Sequence, residues 1–399
     1  MHFSVAFLTV LATVLPTIFA APATPVHDIQ AFNGPKKSGS FIIKLKDDVD
    51  KVSHLDWLVN HPSESTVTHG DWNSTFFNGF AGQFSNAALD ALRSHPDVES
   101  ISEDGIMFTQ ATVTETNAPW GIARLSQASR LTDQVATDLT FTYRYDSAAG
   151  SGVDIYIVDT GINTAHQQFG GRARWGSTFG GYPSADGNGH GTHVAGTAAG
   201  SRFGVAKSAN LIAVKVLSDQ GSGAVSDIVS GLNFVAQQAS ASGRPSIASM
   251  SLGGSPSTSL DSAVSSLVSK GVHVTVAAGN DNSDAANSSP ARVAGAITVG
   301  ASTIADARAS FSNFGTIVDI FAPGQSITSA WIGSTTATNT ISGTSMATPH
   351  IAGLVAYLIS VQGNASPASI SNLIKSLSTK GALSGLPSGT INDLARNNI

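Results

Sequence analysis

The rhythm of apolar and polar positions changes twice along the chain. Residues 3–19 are almost wholly apolar, broken by Pro16 and followed by the small residues Ala20 and Ala21. The stretch is short for a membrane span and carries no stop-transfer flank, so it reads as an export signal, 1–20, cleaved near Ala20. A membrane anchor is the competing reading, since His2 is the sole basic candidate ahead of the stretch. Residues 22–37 read as a linker. From Ser40 to Glu103 short mixed patterns follow: a strand at 41–45, an amphipathic helix at 50–59, and a second strand with a glycine kink at 76–84. A helix at 86–93 then has Leu89 and Leu92 on one side, and a turn plus strand covers 95–101. This succession predicts a small α+β unit.

Beyond Ala111 the rhythm alternates between short apolar runs and longer 3.6-period stretches. Strands are predicted at 153–158, 211–217, 246–252, 272–278, 297–300 and 318–321. Helices are predicted at 190–199, 227–239, 260–269 and 345–361, the last apolar all round and so buried. Alternation of this kind predicts an α/β domain with a mostly parallel sheet and helices on both faces. In such sheets the cleft lies beyond the carboxyl ends of the strands. Asp159 and Asn280 each follow a predicted strand, which places them on that edge.

Composition narrows the picture. The 399 residues exceed one ordinary domain, which predicts more than one functional segment. Charged residues make up only 12%, which argues against a nucleic-acid protein with the basic face it would need, and the mild net charge of -6 selects no partner. Cys is absent, which excludes thiol chemistry and any Cys-ligated metal, and a domain of this size buries enough surface to fold without disulfides.

Three glycine-rich stretches carry the candidate chemistry: Asp159-Thr160-Gly161, His190-Gly191-Thr192-His193, and Gly343-Thr344-Ser345-Met346-Ala347-Thr348-Pro349. An oxygen nucleophile, a base and an orienting carboxylate are what acyl transfer needs. Each member also has a plainer reading. Ser345 at the start of a helix could be an N-cap, and Asp159 a solvated carboxylate at a strand end. His190 and His193, three apart, could be a metal pair, although no third ligand and no HExxH accompany them. Asn280 after Ala277-Ala278-Gly279 could be a turn residue or an amide donor to an oxyanion. Gly221-Ser222-Gly223 and Ser251-Leu252-Gly253-Gly254 are either loops or edges that accept an extended peptide.

Taken together, these motifs resemble the subtilisin family of serine proteases, in its proteinase K branch of secreted fungal enzymes. The resemblance covers 111–399. It rests on Asp159-Thr160-Gly161-Ile162, His190-Gly191-Thr192-His193-Val194-Ala195-Gly196-Thr197, Gly343-Thr344-Ser345-Met346-Ala347-Thr348-Pro349-His350 and Asn117-Ala118-Pro119-Trp120-Gly121. It implies a subtilisin-like three-layer α/β fold preceded by a small α+β propeptide domain. The divisions are 1–20 signal peptide, 21–110 inhibitory propeptide with core 41–104, and 111–399 peptidase domain, with self-cleavage near Gln110-Ala111. Ser345 would be the nucleophile, His190 the base and acid, Asp159 the orienting carboxylate, and Asn280 with the Ser345 N–H the oxyanion donors. Segments 221–225 and 251–254 would flank the substrate, and Ala277, Ala278 and Gly279 would line a pocket for bulky hydrophobic or aromatic residues. Where proteinase K has disulfides and a free Cys, this chain has none. The family pattern also implies structural calcium at Asp319 with the carbonyls of Ala294 and Ala296, and no cofactor for the chemistry.

Sequons mark Asn287 and Asn364 for glycosylation, with Asn73 in the propeptide. The expected partners are protein and peptide substrates and the chain's own propeptide, with no nucleic acid and no membrane after signal removal. The expected state is an extracellular monomer. A catalytically silent peptide-binding homologue is the alternative function; it predicts a broken triad, and none of the four chemical positions is broken.

Overall fold

The structure, a computed structural model, describes residues 26–32, 36–60, 65–106 and 111–399. The signal at 1–20 and Gln110 at the expected cleavage point lie outside the described residues. By contact density the chain divides into two units, one ending at Asp104 and one running from Gly105 to Ile399.

The first unit contains β1 (Ile29–Gln30), β2 (Lys36–Leu45), α1 (Lys51–Asn60), β3 (Ser65–His69), β4 (Gly79–Phe84), α2 (Asn86–Arg93) and β5 (Val98–Gly105). Its sheet runs in the order β1-β5-β2-β4-β3. Helix α2 starts where the Ser85 hydroxyl accepts from Ala88 N at 3.2 Å. Its Leu89 and Leu92 then face Ile43, Leu45, Phe80 and Ile101 in a single core. Two strands were not foreseen. β1 falls in the expected linker, and β3 is a polar edge strand without an apolar alternation.

The second unit begins with β6 (Thr112–Ala118), α3 (Trp120–Leu125) and β7 (Phe141–Asp146), the two strands pairing antiparallel. The alternating region follows: β8 (Asp154–Asp159), β9 (Ala173–Thr178), α4 (His190–Ala199), β10 (Asn210–Lys215), α5 (Val225–Ser242), β11 (Ser246–Met250), α6 (Thr258–Ser269), β12 (His273–Ala277), β13 (Ile297–Ser302) and β14 (Ile320–Pro323). A hairpin of β15 (Ile327–Ala330) and β16 (Thr338–Ile341) leads into α7 (Thr344–Gln362), α8 (Pro367–Leu377), β17 (Thr379–Lys380) and β18 (Asp393–Leu394). The main sheet has the order β17-β18-β14-β13-β12-β11-β8-β10-β9, parallel except for β17.

Three layers follow from the two-residue period of a strand. Ile155 and Ile157 of β8 join the core under α4 and α7, while Tyr156 and Val158 join the core under α5 and α6. All six residues of β8 are buried, and the four between Asp154 and Asp159 form a continuous apolar run rather than an alternation. Helix α7 is long and apolar enough to cross a membrane, yet 83% of it is buried inside the protein, which makes it the central core helix. Its Ile351, Leu354 and Leu358 each contribute roughly 1.5–3 kcal/mol of burial.

Candidate active site

Four elements deliver the candidate groups to one edge of the sheet. Asp159 ends β8, His190 opens α4, Asn280 follows β12 by three residues, and Ser345 is the second residue of α7. His190, Asn280 and Ser345 line one cleft of about 1130 Å³, and Asp159 lies fully buried behind His190. His190 Nδ1 sits 2.8 Å from Asp159 Oδ1 and 3.0 Å from Oδ2. Thr160 N donates to Asp159 Oδ1 at 2.7 Å and fixes the carboxylate plane. Glycine is required where the two turns meet, because a Cβ on Gly191 would stand 2.1 Å from the Gly161 carbonyl oxygen.

Burial opposes a charge on the His190 ring. The charge and hydrogen bond of Asp159, with the more distant charge of Asp186, outweigh that cost and hold the His190 pKa above its ordinary 6.5. His193 is not a partner in metal binding. Its ring is buried on the far side, with Nε2 2.9 Å from the Ile327 carbonyl, and burial drives its pKa down to about 3.

Ser345 is not an N-cap. Gly343 holds that position with no side-chain cap. Thr344 gives its N–H to Asn280 Oδ1 at 2.8 Å, and Met346 N and Ala347 N both reach the Gly343 carbonyl. Among the described residues the N–H of Ser345 has no such acceptor, so the helix end leaves one aligned donor for an anion. Asn280 Oδ1 also accepts from the Thr344 hydroxyl at 2.9 Å. Two donors on the oxygen orient the amide, and its Nδ2 is left on the Gly343–Ser345 side.

Pro349 lacks the N–H that would otherwise bond the Ser345 carbonyl within the helix. The Ser251 hydroxyl takes that carbonyl at 2.8 Å, while the Ser345 hydroxyl donates to the Ser251 carbonyl at 3.3 Å. The two serines thus hold each other across the cleft.

Gly221, Ser222 and Gly223 line one side of the cleft, and Ser251, Leu252, Gly253 and Gly254 the other, with Ala277 and Gly279 at its base. Ala278 does not line it; the residue is buried, and its carbonyl accepts from Asn313 Nδ2 at 2.9 Å. Asn313 escaped the sequence reading. Its Oδ1 accepts from Asp281 N and Ser283 N, both at 3.0 Å, and so brackets the segment that carries Asn280. Gly279, at φ +106°, passes so close that a Cβ would meet Asn313 Nδ2 at 2.3 Å. No local signal marks Asn313. Asp186, also missed, did have one, since Asp186-Gly187-Asn188-Gly189 is an Asx-turn composition. It accepts from Thr160 Oγ1, Gly189 N and Thr192 Oγ1, and so ties the turn after β8 to the start of α4.

The residues expected to hold calcium fit that ion poorly. Asp319 Oδ2 accepts from Thr298 N at 2.9 Å, and Oδ1 faces the Lys375 ammonium at 3.1 Å. An internal cation already neutralises the carboxylate. In the mature chain, freed of residues 21–110, chelator is therefore expected to leave the melting temperature unchanged, with a calcium-dependent rise appearing only in Lys375→Ala; a drop in that mature chain on adding EGTA, restored by calcium, refutes this.

Acid should destabilise this unit. Burial holds His193 at a pKa of about 3 and His350 at about 4, against 6.5 unfolded. Between those values the unfolded chain binds protons that the folded chain does not. The stability present above pH 6.5 is lost as pH falls, at a limiting rate of about 1.4 kcal/mol per pH unit for each ring. A melting temperature that stays flat between pH 7 and pH 5 would contradict this.

The sequons stand in different settings. Asn287 is exposed at the rim of the cleft. The side-chain Oδ1 of Asn364 lies 3.0 Å from His273 Nε2, and Asn73 Oδ1 accepts from Thr75 N and Oγ1.

Comparison with known proteins places these features. The Subtilase family profile matches residues 150–390, and the Peptidase inhibitor I9 profile matches residues 40–110. A cuticle-degrading protease of Metarhizium anisopliae is 45% identical, over 98% of this chain and 99% of that protein. The alkaline serine protease ver112 of Corniculantispora psalliotae is also 45% identical, over 98% and 99%. A crystal structure of a cold adapted subtilisin-like serine proteinase superposes with a TM-score of 0.64 at 45% identity, covering 70% of this chain and 98% of that one.

Proposed function

The chain belongs to the subtilase family of serine proteases and carries an inhibitor-I9 propeptide, and from that premise we propose that it is a secreted, self-processing endopeptidase that works through an acyl-enzyme on Ser345. The observation that carries this reading is the pairing of Asp159 with His190 on the same cleft as Ser345 and its free N–H.

In turnover the Ser345 hydroxyl leaves the Ser251 carbonyl and turns to His190 Nε2. Its oxygen attacks the scissile carbonyl carbon as Nε2 takes its proton. Asp159 keeps the ring's other proton on Nδ1 and stabilises the imidazolium. The developing oxyanion is met by the Ser345 N–H and Asn280 Nδ2. The C–N bond breaks as Nε2 returns the proton to the leaving amine, and water repeats the sequence on the ester.

An extended substrate lies as a strand between 221–223 and 251–253. The small walls at Gly253, Ala277 and Gly279 leave room for a bulky hydrophobic or aromatic residue before the scissile bond; a peptide library that returned Lys or Arg instead would overturn this preference. Residues 1–20 direct export, and 21–110 form a propeptide that assists folding of the sheet-rich domain and is removed by self-cleavage near Gln110-Ala111. The mature enzyme acts outside the cell as a monomer, glycosylated at Asn287 and Asn364.

Fluorophosphonate labelling of the active secreted protein, followed by mass spectrometry, tests the reading. It should place the label on Ser345 and the mature amino terminus near Ala111. Label on any other serine sinks it.

A further inference from the structure

We propose that His54, His95 and Asp97 in the first unit form a binding site for a zinc-class divalent ion. The ligands are His54 Nδ1, His95 Nδ1 and one carboxylate oxygen of Asp97. His54 Nδ1 lies 3.3 Å from Asp97 Oδ2, and His95 Nδ1 lies 3.7 Å from the same oxygen. All three ligand atoms fall within 4.8 Å of one another. Around a tetrahedral zinc with bonds of about 2.0–2.1 Å, donor atoms stand about 3.3 Å apart. The His54–Asp97 pair already has that spacing, the His95–Asp97 pair needs to close by a few tenths of an ångström, and the two imidazole nitrogens, within 4.8 Å of each other, draw together on the ion.

Backbone structure presents the ligands. His54 sits on α1, its ring buried beside those of Trp57 and Phe80 at centroid distances of 5.2 and 5.7 Å. His95 and Asp97 flank Pro96 in a turn closed by Val98 N to the His95 carbonyl at 3.2 Å, and Lys46 N anchors the Asp97 carbonyl at 2.9 Å. The turn is partly exposed, with 18% of the His95 side chain and 38% of that of Asp97 open, so an ion has a way in. His95 Nδ1 now accepts the Asp97 N–H at 3.2 Å, and the metal takes over that lone pair.

The donor chemistry selects the ion. Two imidazoles and one carboxylate, with no thiolate, suit zinc and its neighbours better than calcium or magnesium. Without the ion the Asp97 carboxylate, which only accepts, favours the proton on His54 Nδ1; binding moves that proton to the buried Nε2, which has no other hydrogen-bond partner, and frees Nδ1 for the ion. The ion would link α1 to the turn before β5, across a cysteine-free unit with one small core. That such a staple would prolong inhibition rests on the propeptide reading above; the binding itself does not.

The test uses the full-length chain with Ser345→Ala, its intact mass confirmed, titrated with zinc chloride by calorimetry and with cobalt(II) by visible absorption. The expected result is one ion per chain, a tetrahedral cobalt band, and a rise in the melting temperature that EDTA reverses. His95→Ala and Asp97→Asn, both at the exposed turn, should each weaken binding at least tenfold while circular dichroism stays unchanged. No binding by the full chain, or undiminished binding in those variants, overturns the site. Cleavage is read from the mass and metal binding from the titration, so this proposal and the self-processing reading fail separately.

Discussion

Ser345→Ala is expected to lower turnover about a million-fold and to leave the precursor uncut, with 21–110 still attached to the peptidase domain. The magnitude is that seen when the nucleophile of subtilisin is removed, carried over to this relative. The structure explains why the loss should be chemical and not a failure to fold. The Ser345 hydroxyl makes a single 3.3 Å bond, to the Ser251 carbonyl, and the helix end keeps its geometry without it. Thr344 N remains on Asn280, Met346 N and Ala347 N remain on Gly343, and the Ser251 hydroxyl remains on the carbonyl of residue 345. The oxyanion donors therefore stay in place, and activity some 10³–10⁴-fold above that of water should survive, as it does in subtilisin. Two measurements check this: hydrolysis of a chromogenic peptide, and the mass of the purified chain. Efficient maturation of the variant on its own would mean that another protease makes the cut.

What could be read from the sequence and what could not divides along physical lines. Strand β8 and helices α4, α6 and α7 announce themselves because burial dictates their composition. The six buried residues of β8 and the apolar surface of α7 leave little choice of side chain. The hairpin β15–β16 and the edge strand β3 are four or five residues long and rich in Ser and Thr, so pairing made across the fold decides them, not local pattern. The same holds within the cleft. Asp159, His190, Asn280 and Ser345 stand in glycine-rich motifs because backbones approach closely there, as at Gly191 against Gly161. Asn313 contributes from a distant loop, and its role appears only once the segment around Asn280 is folded against it. The neighbour of Asp319 was equally illegible, because it is contributed by α8. Lys375 reaches Asp319 from 56 residues away.

Asp159→Asn is expected to cost about 10⁴-fold in turnover, the size of effect known for the orienting carboxylate in serine proteases of both major folds. Here the hydrogen bonds say why an isosteric change should be so damaging. Thr160 N donates to Asp159 Oδ1 at 2.7 Å, and this contact would orient the new amide with its oxygen toward Thr160. The –NH₂ would then face His190 Nδ1, which must become an acceptor. That forces the ring proton onto Nε2, the atom that has to receive the Ser345 proton. The base is blocked while its position is nearly unchanged, so KM should move far less than kcat. A second readout separates this from simple loss of packing. The carboxylate is a main force holding the His190 pKa above 6.5 against burial. Without it the pKa falls, and the acid limb of the residual kcat/KM profile should shift to lower pH. A variant that kept its acid limb in place, or lost activity mainly through KM, would show that Asp159 does not orient His190.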